Sequence, residues 1–75
     1  MQIFIIGFSK TNIVDIEPSE TILRLKELIN DKLKVPIKYQ RLTYAGKSLR
    51  DDYFISDYNL QKDCSIFLHF KWYIN

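Results

Sequence analysis

The sequence contains few residues that form disulfides, bind metals or interrupt regular secondary structure. Among 75 residues there are one cysteine, one histidine, two glycines and two prolines. A single cysteine excludes an internal disulfide framework, and a single histidine excludes zinc sites and catalytic triads built on histidine pairs. No apolar run approaches the about 20 residues that span a bilayer. The free thiol, with no export signal, predicts a reducing compartment, the cytoplasm or the nucleus.

Charge of one sign is also scarce. Eleven basic and nine acidic residues give a net charge of +2, which is too weak to favour nucleic acid or a membrane surface. Cys64 has no second cysteine or nearby histidine, and adjacent carboxylates such as Asp51 and Asp52 are expected to diverge. No catalytic residue, metal site or cofactor motif is predicted, and the chain is not expected to be an enzyme.

Apolar residues are plentiful, and they recur with the periods of secondary structure. The composition, 47% hydrophobic and 15% aromatic, predicts one folded domain over residues 1–75, expected to be a monomer. Residues 1–6 and 11–16 read as two strands of a hairpin around a turn at 7–10. Residues 21–34 read as the one helix, with Thr21 as its N-cap and Pro36 as a stop.

The second half of the chain adds two short strands, at 41–44 and 47–49, and a longer one at 65–72 that alternates with period two. One helix must cover one face of one sheet. The first strand is apolar on both faces, as a central strand is, so we expect the last strand beside it in parallel. The predicted fold is α+β, a ββαββ β-grasp with a mixed sheet on one helix.

Several segments, in this order and at this spacing, resemble ubiquitin and the ubiquitin-like domains: 1–4, 17–22, 40–42, 45–47 and 56–62. The match runs from Met1 to about Lys71, with one residue fewer in the first hairpin turn. The resemblance implies a partly buried ion pair between Lys26 and Asp51. It also implies that the hydroxyl of Tyr58 ties down the loop that precedes it.

The resemblance breaks at the C-terminal tail. Members of the family that are conjugated to other proteins end in a slim Gly-Gly tail, whereas residues 71–75 contain no glycine and include the bulky Trp72 and Tyr73. We therefore expect a non-covalent interaction module, either a whole small protein or the N-terminal domain of a longer one. Two alternatives stay open: a covalent modifier with a degenerate tail or a longer precursor, and a ubiquitin mimic or decoy.

The resemblance also assigns a partner-binding surface on the open face of the sheet. Its residues are Phe8, Thr43, Phe67 and His69, with Arg41 and Lys47 at the same surface and with Val35 and Trp72 beside it, next to Phe70. Trp72 either anchors a partner or folds back over Val35 and Phe70. Thr43 stands where ubiquitin has isoleucine, so ordinary ubiquitin receptors are expected to bind weakly. The partners implied are ubiquitin-receptor, proteasomal or chaperone-type domains.

Overall fold

The structure, a computed structural model, describes residues 1–71. The elements follow one another as β1 (Gln2–Gly7), β2 (Lys10–Asp15), α1 (Ile22–Leu33), β3 (Gln40–Tyr44), β4 (Lys47–Ser48) and β5 (Ser65–Phe70). Two 3₁₀ helices, Ile37–Tyr39 and Ile55–Tyr58, lie between the predicted elements. The strands and the helix confirm the predicted order, and β5 is shorter than expected because Lys71 already lies outside it.

The five strands form one mixed sheet in the order β2-β1-β5-β3-β4. β1 is antiparallel to β2 and parallel to β5, while β3 is antiparallel to both β4 and β5. The predicted parallel pairing of the first and last strands is therefore confirmed. β1 has a strand on each side, so its predicted central position in the sheet is confirmed.

The core lies between one face of the sheet and α1. Strand residues alternate across a sheet, so every second side chain of β1, β3 and β5 points at the helix. The fully buried apolar residues of these strands are Ile3, Ile5, Leu42 and Ile66, and those of α1 are Ile22, Leu25 and Ile29. The other face of the sheet has no such helix over it among residues 1–71.

Both ends of α1 are set by local chemistry. The Oγ1 of Thr21 accepts a hydrogen bond from the Arg24 N–H at 3.1 Å, which satisfies one of the free donors of the first turn. At the other end Lys34 takes a left-handed conformation, φ 60°, and its N–H donates to the Asn30 carbonyl. The predicted cap at Thr21 is confirmed.

The turn of the β1–β2 hairpin differs from the prediction. Gly7 belongs to β1 and pairs with Lys10, so the loop itself is Phe8 and Ser9, at φ 55° and 62°. Positive φ at both loop residues is the type I′ geometry, which suits the twist of a hairpin but favours Asn-Gly. Gly7 is held for another reason: a Cβ there would lie 3.0 Å from the Cβ of Leu68.

Two polar contacts that the resemblance implied are confirmed. The Nζ of Lys26 lies 2.6 Å from the Oδ1 of Asp51. The Tyr58 hydroxyl accepts a hydrogen bond from the Arg50 N–H at 2.9 Å and so holds the start of the loop that runs back to Tyr58. The ion pair fastens residues 50–58 to α1, and the hydrogen bond to Tyr58 ties the two ends of that segment together.

Candidate partner-binding surface

Three side chains cross the open face of the sheet in one register row. Phe67 of β5 pairs with Ile6 of β1 on one side and with Thr43 of β3 on the other. Residues that are opposite one another in a sheet share a face, so these three form a continuous strip, the Ile6–Phe67–Thr43 row. Phe67 is 48% exposed. A large aromatic ring thus stands in the middle of the face, half open to solvent.

His69 and Arg41 form the next row along the same two strands. They pair in register and both are exposed. A hydrogen bond of 3.0 Å joins the Nε2 of His69 to the Oγ1 of Thr43. This diagonal bond holds the imidazole ring toward Thr43, so a partner that covered Phe67 would also meet a polar pair.

Phe8 belongs to an aromatic group at the hairpin end of the sheet. Its ring packs edge-on against Phe70, with 6.0 Å between centroids, and Phe70 packs edge-on against Tyr39 at 5.5 Å. Edge-to-face pairs at such distances are favourable contacts. Phe8 therefore contacts Phe70, the residue next to which Val35 and Trp72 are predicted to lie.

Two of the remaining predicted residues, Val35 and Lys47, differ in their exposure to solvent. Val35 is only 7% exposed, and its carbonyl accepts a hydrogen bond from the buried Gln40 side chain. The expectation that Val35 contributes open apolar surface is corrected, because the chain after α1 turns it inward. Lys47 is exposed and pairs with Tyr44, whereas its neighbour Ser48 pairs with Thr43 of the Ile6–Phe67–Thr43 row. Trp72 lies outside the described residues.

Sequence reasoning missed part of this surface. The sequence predicted that Ile6 lies in the first strand and Ile13 in the second. It did not predict which residues of the neighbouring strands they pair with. Ile13 is 50% exposed and pairs with the half-buried Phe4. The open face is therefore apolar from Phe67 through β1 to the β2 edge. The alternation within each strand was visible, but the register that aligns Ile6 with Phe67 was not.

Cys64 supplies the one thiol among the described residues. Burial raises the pKa of the Cys64 thiol, which leaves less of the nucleophilic thiolate at neutral pH. Among residues 1–71, no three or more His, Cys, Asp or Glu side chains gather as metal ligands would. In the same stretch, no helix has the length and apolar character needed to span a membrane.

Comparison with known proteins places this fold among named relatives. A family model described as "Ubiquitin family" matches residues 3–72. The chain is 40% identical over 55 residues to Ubiquitin domain-containing protein DSK2 of Saccharomyces cerevisiae, covering 73% of this chain and 15% of that protein. It is 43% identical over 47 residues to Ubiquitin-like protein 4A of Rattus norvegicus, covering 63% and 30%. It is 43% identical over 49 residues to NEDD8-like protein RUB3 of Arabidopsis thaliana, covering 65% and 63%. The match spans less than two thirds of the length of each of these relatives.

Proposed function

Since the chain belongs to the ubiquitin family, we propose that it acts as a non-covalent protein-interaction module whose working surface is the open face of its sheet. The partners we propose are ubiquitin-receptor, proteasomal or chaperone and quality-control domains. The free thiol of Cys64 supports a location in the cytoplasm or the nucleus.

One observation carries this proposal: the half-exposed Phe67 at the centre of the Ile6–Phe67–Thr43 row. Aromatic residues in the middle of a surface patch dominate the energy of many interfaces. The row is built on hydrogen-bonded strands, so its side chains lose little backbone freedom when a partner binds. A rigid apolar strip with polar residues around it is the arrangement expected of a docking surface.

The chemistry of the row supports a partner preference different from that of ubiquitin. Thr43 presents a hydroxyl, bonded to His69, where ubiquitin has an isoleucine. A partner residue that fits the aliphatic centre of ubiquitin would leave this hydroxyl poorly matched, and Phe67 would project beside it. We therefore propose weak binding to ordinary ubiquitin receptors and stronger binding to a partner whose pocket accepts an aromatic ring.

A second candidate is kept because one relative carries the name NEDD8-like protein and aligns over 63% of its length. On that basis the chain would be a covalent modifier with a degenerate tail or a longer precursor. Residues 71–75 contain no glycine, so this candidate requires either the degenerate tail or further residues of a longer precursor. A third candidate, a ubiquitin mimic or decoy, would use the same open face but would compete with ubiquitin for its receptors.

The test is an NMR titration of the isotope-labelled chain against ubiquitin-receptor helices and a proteasomal receptor domain. Shifts at Ile6, Thr43, Phe67 and His69 are expected with at least one of them. Phe67→Ala should abolish those shifts. Phe54→Ala is the matched control, because Phe54 is 46% exposed but lies on the loop that bridges to Thr21, away from the row.

Silence across the panel, or equal effects of the two alanine variants, would overturn the proposal. The covalent alternative is tested separately, by incubating the chain with a ubiquitin-type activating enzyme and ATP. A thioester adduct on the enzyme would favour the covalent candidate. Displacement of bound ubiquitin from a receptor, without any adduct, would favour the decoy.

A further inference from the structure

The hydrogen bond between His69 and Thr43 can run in either direction. The Nε2 of His69 lies 3.0 Å from the Oγ1 of Thr43, and the tautomer of the ring decides which atom donates. A neutral imidazole has one donor nitrogen and one acceptor nitrogen, whereas an imidazolium has two donors. Neutral His69 can therefore accept from the threonine hydroxyl or donate to it, and protonated His69 can only donate.

This direction decides what Thr43 needs from a partner. When the hydroxyl donates to a neutral His69, its proton is already bonded within the chain. When Nε2 of a protonated His69 donates instead, the hydroxyl oxygen accepts and the hydroxyl proton has to find another acceptor. Thr43 is half-buried in the middle of the open face. A partner that covers it must supply that acceptor or leave the proton unbonded, which costs free energy once water is excluded.

Protonation of His69 also adds a positive charge where the neighbouring strands carry no carboxylate. β5 lies between β1 and β3. β1 has no charged residue, and the one charged residue of β3 is Arg41, which pairs with His69 in register. Tyr44 of β3 packs against the core on the other face. Beyond β3 lies Lys47 of β4, and Lys71 follows His69 two residues later, so the charged neighbours are all cations.

A change in binding between pH 5 and pH 8 can be assigned to His69. It is the one histidine of the sequence, and histidine is the side chain whose charge ordinarily changes in that range. The hydrogen bond to Asp15 raises the pKa of the Met1 amino group, which moves its titration away from this range. Tyr39 lies beside Lys71, whose N–H its carbonyl accepts at 2.9 Å, and tyrosine is uncharged at these pH values.

We propose that His69 is a proton switch that selects which residue a partner places against Thr43. Protonation of His69 favours a glutamate or aspartate, because a carboxylate accepts from the Thr43 hydroxyl and offsets the charges of His69 and Arg41. It disfavours a lysine, which offers no acceptor and adds a further positive charge. The inference rests on the proposed function, since it describes how the open-face surface chooses among partners.

The switch is tested first in the isotope-labelled chain without a partner. NMR follows the imidazole nitrogens of His69 and the methyl group of Thr43 from pH 5 to pH 8. The Thr43 methyl shift should change with the same midpoint as the His69 ring. In His69→Gln the amide can still bond Thr43 but does not titrate, so the Thr43 shift should stay constant. A Thr43 signal that does not follow the His69 ring, or that titrates equally in His69→Gln, would overturn the inference.

The second test measures binding. The probe is a histidine-free receptor helix that shifts Phe67 in the panel described above, made with glutamate, glutamine or lysine at the position that contacts Thr43. The glutamate form should bind about five-fold more tightly at pH 5.5 than at pH 7.5, and the lysine form about five-fold less tightly. The glutamine form should change less than either. Isothermal titration in two buffers of different ionisation enthalpy should show that the glutamate complex takes up protons as it forms.

Three variants separate the charge from the hydrogen bond. His69→Gln should remove the pH dependence, and His69→Lys should bind the glutamate form with nearly equal affinity at both pH values. Thr43→Val keeps the charge of His69 but removes the hydroxyl, so it should reduce the pH effect without abolishing it. His69 is exposed, so both of its variants are expected to fold, which urea unfolding checks.

The outcomes distinguish this inference from the proposed function. Binding at Phe67 with the same affinity at both pH values, or a pH dependence that survives in His69→Gln, would overturn the switch and leave the docking surface standing. An unchanged pH effect in Thr43→Val would overturn the part played by the hydrogen bond. Silence of every helix at both pH values would overturn the proposed function, and the inference with it.

Discussion

Lys26 and Asp51 form an ion pair whose two ends are in different environments. The Nζ of Lys26 lies 2.6 Å from the Oδ1 of Asp51, yet the side chain of Lys26 is 7% exposed and that of Asp51 is 49% exposed. The ammonium has lost most of its water, whereas the carboxylate keeps much of its own. An unpaired charge would therefore cost far more free energy at Lys26 than at Asp51.

We expect this asymmetry to appear in the free energy of unfolding. Asp51→Asn should lower it by about 2–3 kcal/mol, because the buried ammonium of Lys26 loses its counter-charge. Lys26→Met should lower it by no more than about 1 kcal/mol, because methionine keeps the apolar stem and Asp51 remains hydrated. Urea unfolding of the two variants measures both values. Equal losses would contradict the argument.

The exposed pair of Arg50 and Asp52 supplies the control. Their charged atoms are 3.9 Å apart, and both side chains are mostly in solvent. Asp52→Asn should therefore change the free energy of unfolding by less than about 0.5 kcal/mol, as is usual for surface pairs.

The hairpin turn is a place where one substitution should stabilise the protein. Ser9 has φ 62° in a two-residue type I′ loop, a conformation that costs a residue with a Cβ about 1 kcal/mol. Ser9→Gly should raise the free energy of unfolding by about that amount. Ser9→Ala keeps the Cβ and should give no gain. A gain with alanine, or none with glycine, would show that the turn is not strained.

The centre of the open face gives a prediction about binding. Thr43→Ile adds aliphatic surface and removes the hydroxyl that bonds His69. We expect about ten-fold tighter binding to a ubiquitin-receptor domain, since each buried methylene contributes about 0.8 kcal/mol. Thr43→Val removes the hydroxyl with little change of size, so it separates the polar effect from the added surface. Isothermal titration measures both, and weaker binding by Thr43→Ile would contradict the prediction.

The thiol of Cys64 gives a prediction about pH. Burial raises the pKa of this thiol, so its alkylation by iodoacetamide should need a higher pH in the folded chain than in concentrated urea. The raised pKa also makes the stability of the fold decrease with pH. The contribution of the neutral thiol is complete below the unfolded pKa, about 8.5, and is lost as pH rises through the folded pKa. Mass spectrometry of the alkylated fraction against pH checks this, and an unshifted or lowered midpoint would contradict it.

The sequence predicted best what depends on neighbouring residues. The helix between Thr21 and Pro36 follows from local spacing, a cap and a stop. The first hairpin also followed from two apolar runs, but the role of Gly7 did not. Its lack of a side chain is explained by the close approach of Leu68, which is far away in sequence. Local patterns predict that a turn forms, and tertiary packing decides which residue must be glycine.

The candidate surface was harder to predict for the same reason. The resemblance pointed to Phe67 and Thr43, but the contribution of Ile6 depends on the parallel register of β1 and β5. A shift of that register by one residue would turn the side chains to the opposite face. Val35 was misjudged because its environment is set by the way the chain turns after α1 and by the buried Gln40.

The parallel pairing of β1 with β5 also sets the order in which the domain can be made. During synthesis β1 and β2 leave the ribosome early, and Ser65–Phe70 emerges after every other described strand. Until then β1 lacks one of its two neighbours, and Ile5 has no Ile66 beside it. Closing a loop of nearly the whole domain must come before that contact. The nascent chain therefore carries an unpaired, aggregation-prone strand until its last strand is complete, which makes this interval the point at which a chaperone would be most useful.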